Sequence, residues 1–307
     1  MNRVDDIIAV IDTILKDETS DLKKRLQKMG LVNIESTISC IEEYEDLLAG
    51  LLEDELKFFV DLINEGCSVE DALEKVLASF SKDVLASEVE SQAKEFYENF
   101  MADTTLAYMT LVDSDAIFDT FSDYTKDFMK EWSKSLGEHL QDTSHKKIEK
   151  ILTKGIEDGS SIDDICDILQ DNYDWSRERA RKVAITETLT AHSYSQHEAF
   201  MQSPVVTGMK WKHSGTKKND ARKHHQKLNG VIVNKGELFT IDAPDGKYTC
   251  KFPRDVNLPP SERIHCHCTV GPVVDNDILG MTQEEKEELR KEALEDWNKN
   301  YKSSKNT

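Results

Sequence analysis

Seven of the nine histidines lie between His192 and His267, and three of the six cysteines lie between Cys250 and Cys268. Imidazole and thiol are the side chains that most readily bind transition metals or change protonation near neutral pH. Two segments concentrate them: Asn219-Asp-Ala-Arg-Lys-His-His-Gln-Lys-Leu-Asn-Gly230 and Ile264-His-Cys-His-Cys-Thr269. A structural zinc ion takes four Cys/His ligands in a tetrahedron. Cys266 and Cys268 offer one pair, and Cys250 with His224 or His225 could complete the set. The spacing departs from the common C-x₂₋₄-C. If Ile264–Thr269 is a strand, Cys266 and Cys268 share a face about 7 Å apart, so one zinc requires the strand to bend. The competing reading is a pair of half-buried thiols or a reversible disulfide.

Catalytic readings find less support. His192 and His197 are five apart and do not share a helix face. Glu198 follows His197, but no HExxH, zinc-deaminase pattern, Walker A loop, GxGxxG or G-x-S-x-G is present. A metal-dependent nuclease or hydrolase could draw on Asp220, His224, His225 and the three nearby cysteines. Adjacent histidines on a helix, however, point in two directions. A third use of the same stretch is nucleic-acid binding. Lys210, Lys212, Lys217, Lys218, Arg222, Lys223 and Lys227 could hold phosphates, with Trp211 among them. A lone Trp in a small α/β unit more often anchors its core.

The rest of the chain must position these groups. Net charge is -20 over 307 residues and is unevenly spread. Residues 1–179 carry 19 Lys/Arg against 42 Asp/Glu, residues 180–275 carry 14 against 9, and residues 276–307 carry 6 against 8. Only the middle block is net basic and could attract a polyanion. A hydrophobic fraction of 38% with 32% charged residues suits a long helical protein better than a compact enzyme. The N-terminal stretch is acidic where a secretion signal is basic, and no apolar run approaches a membrane span. Synthesis in a reducing cytoplasm is therefore expected.

All six prolines lie at or after Pro204, so the preceding sequence favours long helices. Ile34, Ile38, Ile41, Leu48, Leu52, Phe59 and Ile63 mark one apolar helix face, as do Ile117, Phe121, Phe128, Trp132, Leu136 and Leu140. Gly30, Gly66 and Gly155/Gly159 read as stops, and Ser68, Asp113 and Ser161 as N-caps. Helices are predicted near 3–28, 34–64, 69–79, 82–109, 114–153, 162–171 and 175–202. After Pro204, short β-type runs are predicted at Met209–His213, Gly230–Val233, Lys247–Phe252 and Thr269–Val274, with a helix at Asp220–Leu228. A last helix runs from Thr282 to Tyr301, capped by Thr282 and Glu285, with the final six residues frayed. The expected organisation is an acidic helical region 1–154, a domain 155–275 and a charged helix with tail 276–307. The fold class is α+β.

These residues resemble the phage Mu F-type head morphogenesis family, which includes the minor head protein of phage SPP1. The resemblance spans roughly residues 155–275. It begins with the helical pattern Ala180-Arg-Lys-Val-Ala-Ile-Thr-Glu-Thr188, in which Thr186 and Glu187 carry the family motif. A Trp-led strand follows at Met209–His213 with Trp211. The element D-x-R-x-x-H-x-x-L-N-G comes next, on Asp220, Arg222, His225 and Gly230. A Pro-rich loop at Leu258–Ser261 leads to the closing Cys266 and Cys268, where His265 and His267 replace the family's Asn and Arg. The resemblance implies a small mixed α/β domain behind helical sequence, in a low-copy minor capsid protein. It further implies contact with portal, scaffold or capsid proteins, action in head assembly and DNA packaging or ejection, and a place inside the virion near the portal. No enzymatic activity is implied, and no further catalytic module is expected beyond the domain. A stand-alone DNA-binding module and a metal-dependent hydrolase remain the alternatives, and zinc is the one cofactor considered.

Overall fold

The computed structural model describes residues 20–81, 84–170, 173–213, 222–264 and 266–305. The expected helix over 3–28 is described from residue 20; its earlier part lies outside the described residues. The helices are α1 (20–29), α2 (Ile34–Asn64), α3 (Val69–Ser79), α4 (Val84–Val112), α5 (Asp123–Asp158), α6 (Ile162–Gln170) and α7 (Tyr173–Gln202). The mixed part follows as β1 (Val206–Lys212), α8 (Lys223–Lys227), β2 (Ile232–Asn234), β3 (Phe239–Ala243), β4 (Gly246–Cys250), α9 (Pro260–Arg263), β5 (Thr269–Val274), α10 (Asn276–Leu279) and α11 (Gln283–Lys305). The α+β class read from the sequence is therefore the observed one.

The chain divides into two compact units, Ile41–Asn99 with Lys126–Glu187, and Met1–Cys40 with Phe100–Thr125 and Thr188–Thr307. The first is all helical among the described residues. Ile41, Leu48, Leu52, Phe59 and Ile63 of α2 are buried as their spacing predicts. Phe59 and Ile63 pack with Val76, Ile148, Leu152 and Ile165. Each such side chain contributes about 1.5–3 kcal/mol by leaving water. Ser68 caps α3 by accepting from the Asp71 N–H. Ser161 and Asp164 hydrogen-bond reciprocally at the start of α6. Gly159 takes φ +67° just past α5, a left-handed turn that glycine adopts without a Cβ clash. Gly155 is not a stop but lies inside α5.

The start of α5 departs furthest from the prediction. Apolar periodicity joins Ile117 and Phe121 to the α5 stripe, yet α5 begins at Asp123. The cap is Ser122, not Asp113: the Ser122 hydroxyl accepts from the Thr125 N–H at 3.2 Å. Asp113 instead follows α4, where its carboxylate accepts from Lys286 Nζ at 2.7 Å and the Asp115 N–H at 3.3 Å. A carboxylate engaged in a turn and a salt bridge is not available to start a helix.

The second unit holds the strands. β1 is the centre of a three-stranded antiparallel sheet in the order β2-β1-β5, and β3 with β4 forms a separate hairpin. Register in the sheet pairs Met209 with Val233 and Pro272, and Lys210 with Ile232 and Gly271. Alternation along β1 buries Met209 and Trp211 and exposes Lys210 and Lys212. β3 is absent from the predicted runs, although Phe239 and Ile241 alternate inward before the Asp245-Gly246 turn. The predicted strand at 230–233 is shifted to β2 and the run at 247–252 to β4; of the helix predicted at 220–228, the described part is α8, with 220 and 221 outside the described residues. The core joins Phe200, Met209, Trp211, Phe239, Ile241 and Val270. α11 starts on the expected Thr282–Glu285 capping box. It extends to Lys305 rather than fraying from residue 302, and its Trp297 and Tyr301 pack beside Tyr124.

Candidate functional site

Three short pieces of the second unit bring the chemistry-bearing residues together: the end of β1, α8, and the loop before β5. The loop is the decisive local feature. Ile264 and residues 266–268 lie outside any strand, because β5 begins only at Thr269. Freed from strand alternation, the sulfurs of Cys266 and Cys268 and a ring nitrogen of His225 lie within 4.8 Å of one another. His225 Nδ1 is 3.5 Å from Cys266 Sγ and 3.8 Å from Cys268 Sγ. His213, just past β1, places its Nδ1 3.3 Å from Cys268 Sγ. No sequence motif singled out His213; its place two residues beyond the buried Trp211 was the available signal.

The surroundings fix these groups. His225 Nε2 donates to Glu262 Oε2 at 2.7 Å, and His224 Nε2 reaches the same oxygen at 2.8 Å. The adjacent histidines thus meet on one carboxylate, contrary to the expectation that they would serve separate directions. Arg254 is buried and donates from Nη1 to the carbonyls of Cys266 and Cys268 at 2.7 and 2.8 Å. Its Nε and Nη2 bond Leu189 O and Ser193 Oγ. Arg222 donates to the carbonyl of Ile264 at 2.8 Å. Gly230, at φ +89°, closes the turn after α8 and donates its N–H to Trp211 O at 2.9 Å.

Electrostatics couple the two thiols. A hydrogen bond from Cys268, outweighing burial and joined by His225 and Arg254, holds Cys266 well below the usual thiol range. Cys268 is raised in turn, first by that same hydrogen bond and then by burial. Burial alone would lower His225, but the Cys266 thiolate and the Glu262 carboxylate together raise it. Cys250 is different. It is buried in the core, its thiol is pushed up by burial and by Asp255, and it joins no converging ligand set among the described residues.

The other sequence candidates separate by role. Trp211 is fully buried, so it anchors the core and cannot stack on a base. Lys210, Lys212, Lys223 and Lys227 are exposed, while Arg222 is half-buried. Lys217, Lys218, Asn219, Asp220 and His265 lie outside the described residues. Glu187 is buried and accepts from Tyr97 Oη and Trp132 Nε1, both at 2.7 Å. Thr186 donates to the Lys182 carbonyl on its own helix. Arg181 of the same pattern makes a buried 2.6 Å ion pair with Glu45.

Further along α7, residues that might suggest catalysis are structural. Glu198 accepts from Ser122 N–H and hydroxyl, Thr125 hydroxyl and Gln202 amide, at 2.5–2.8 Å. His192 is buried with its Nε2 2.8 Å from Thr37 Oγ1, and burial lowers it to about 3. His197 is likewise lowered to about 3 by burial, with Lys251 and Lys235 adding to the effect. Both rings are neutral packing groups at physiological pH.

The stretch that carries the Thr-Glu helix, the buried Trp strand, the His-bearing turn and the Cys-x-Cys loop lies within a match to a known family. The family model described as "Phage Mu protein F like protein" matches residues 146–271. The protein named "Uncharacterized protein YqbB" from Bacillus subtilis (strain 168) is 38% identical over 306 residues, covering 96% of this chain and 99% of its own length. No solved structure matches. No described helix is long and apolar enough to cross a membrane. On this match and this relative, the chain belongs to the phage Mu protein F-like family of head morphogenesis proteins.

Proposed function

We propose that this is a minor capsid protein that acts in head assembly and in DNA packaging or ejection, inside the phage head near the portal. Its protein partners are the portal and the capsid or scaffold proteins. Family membership is the observation that carries this reading. On α7, Glu187, His192 and Glu198 are buried in hydrogen bonds that join elements of the fold, which suits a structural role. Mass spectrometry of purified virions and of procapsids tests it. The chain is expected in both at low copy beside the portal protein, and its absence from both particles would overturn the reading.

Phage DNA is assigned to the segment 180–275. The supporting observation is the exposed set Lys210, Lys212, Lys223 and Lys227 in the net basic block. Reversing these four charges should weaken duplex binding and flatten its salt dependence by roughly one log–log unit for each phosphate no longer neutralised. Unchanged affinity and salt slope would remove DNA from the partners.

A further inference from the structure

We propose that His213, His225, Cys266 and Cys268 hold one zinc ion as a closed structural site. The quartet differs from the one suggested by sequence: His213 enters and Cys250 does not. Its geometry is the first support. Zinc–sulfur bonds of about 2.3 Å and zinc–nitrogen bonds of about 2.0–2.1 Å in a tetrahedron set each S···N edge at about 3.6 Å and the S···S edge at about 3.8 Å. The three S···N separations are 3.3, 3.5 and 3.8 Å, and the two sulfurs lie within 4.8 Å of each other. His225, Cys266 and Cys268 already converge, whereas His213 touches Cys268 alone, so its ring must swing toward Cys266 and His225 to close the tetrahedron.

The second support is the outer shell. A metal-bound histidine usually gives its other ring N–H to a carboxylate, which fixes the tautomer and aims the ligating nitrogen. His225 does this: Nε2 donates to Glu262, leaving the Nδ1 lone pair to face the sulfurs. Arg254 clamps both carbonyls of the ligand loop, and Asn229 Oδ1 accepts the backbone N–H of His213 at 2.9 Å. His224, His225 and Glu262 form a second candidate set. Their 2.7 and 2.8 Å contacts are hydrogen-bond lengths, shorter than the roughly 3.3 Å that two N/O ligands keep on one zinc. That set therefore serves as support for the quartet, not as a second centre.

Donor type and burial decide the metal and its role. Two thiolates and two imidazoles are a donor set that suits zinc. Two thiolates also neutralise the dication, so the occupied site carries no net charge into the core. Cys266, Cys268 and His225 are buried and His213 is half-buried, and four protein ligands leave no open position for water or substrate. The ion would tie β1, the five-residue α8 and the start of β5 together. A helix as short as α8 has little stability of its own and needs such an anchor.

Elemental analysis of the full chain, purified under reducing conditions, incubated with zinc chloride and desalted, tests the proposal. One equivalent of zinc is expected in the parent and in Cys250→Ser. Cys266→Ser and His213→Ala should lose it, and chelation should lower the parent's melting temperature. Substitution with Co²⁺ should give the intense visible bands and thiolate charge transfer of a tetrahedral N₂S₂ centre. Because His213→Ala could misfold, His213→Cys provides the independent arm; it should keep the metal with an altered cobalt spectrum. Failure of the parent to retain zinc, a Cys266–Cys268 disulfide under reducing purification, or loss of metal in Cys250→Ser with retention in His213→Ala would each overturn the assignment. None of these outcomes depends on virion association.

Discussion

Buried Glu187 in the helical unit and buried Arg254 in the sheet-bearing unit satisfy different needs. In the helical unit, Glu187 gathers Tyr97 and Trp132, and Glu45 pairs with Arg181, so each carboxylate ties one helix to another. The helices already satisfy their own backbones. In the sheet-bearing unit, the buried Arg254 reaches instead for main-chain carbonyls, those of Cys266 and Cys268, which lie in a loop without ladder partners. Polar side chains such as Glu198 and Lys286 join elements in the second unit too, but Arg254 there also replaces missing secondary structure. Its substitution should therefore cost more than that of Glu187.

The largest effect is expected from Arg254→Ala. It would strip the hydrogen bonds from two buried loop carbonyls and from Ser193, with a loss of about 3–5 kcal/mol in denaturant unfolding. Arg254 also sits at φ +68°, where a Cβ is disfavoured. Arg254→Gly should accordingly be less damaging than Arg254→Ala by about 0.5–1 kcal/mol. An Arg254→Ala loss below about 1 kcal/mol would mean that other groups satisfy the loop, and the contrast between the units would disappear.

Glu187→Ala should cost less, about 2–3 kcal/mol, because Trp132 is only half-buried and keeps some access to water. A double-mutant cycle with Tyr97→Phe should give a coupling of about 0.5–2 kcal/mol. Zero coupling would show that the carboxylate does not join the helices through Tyr97.

The same contrast governs what could be read from sequence. Long helices announce themselves by periodicity, so α2 and α3 match their predicted limits. Apolar spacing failed at Ile117 and Phe121 because it is blind to Asp113 and Ser122, whose partners Lys286 and Glu198 are distant in sequence. In the mixed part, β5 was legible from its own residues, whereas β3 was hidden because Phe239 and Ile241 make too short an alternation to stand out. Cys266, Cys268 and His225 were legible by residue type and by family pattern. His213 was not, since its contact with Cys268 depends on the end of β1 meeting a loop that begins some 50 residues later, a proximity that the antiparallel β1–β5 pairing creates.

The smallest effect offers the sharpest comparison, because it sets two buried carboxylates against each other. Glu55, in the helical unit, borders an apolar cleft of about 440 Å³ lined by Leu51, Phe58, Phe59 and Leu85. Burial raises its carboxyl from 4.5 to about 7, against the opposing pull of Ser144 and Arg179. The folded protein then holds a proton that the unfolded chain has released between about pH 4.5 and 7, so stability falls as pH rises through that window. Glu55→Gln keeps the shape without the charge. It should leave stability nearly unchanged at pH 4, remove the slope above it, and raise stability by about 1–2 kcal/mol above pH 7. Glu198, in the other unit, is also raised by burial, but it accepts from Ser122, Thr125 and Gln202. An amide offers one acceptor oxygen in place of two and presents a donor to donors, so Glu198→Gln should destabilise at every pH. Denaturant unfolding across pH 4–9 distinguishes the two. If Glu55→Gln tracked the parent throughout, Arg179 and His145 would already be keeping that carboxylate charged, and burial would not be the dominant influence on it.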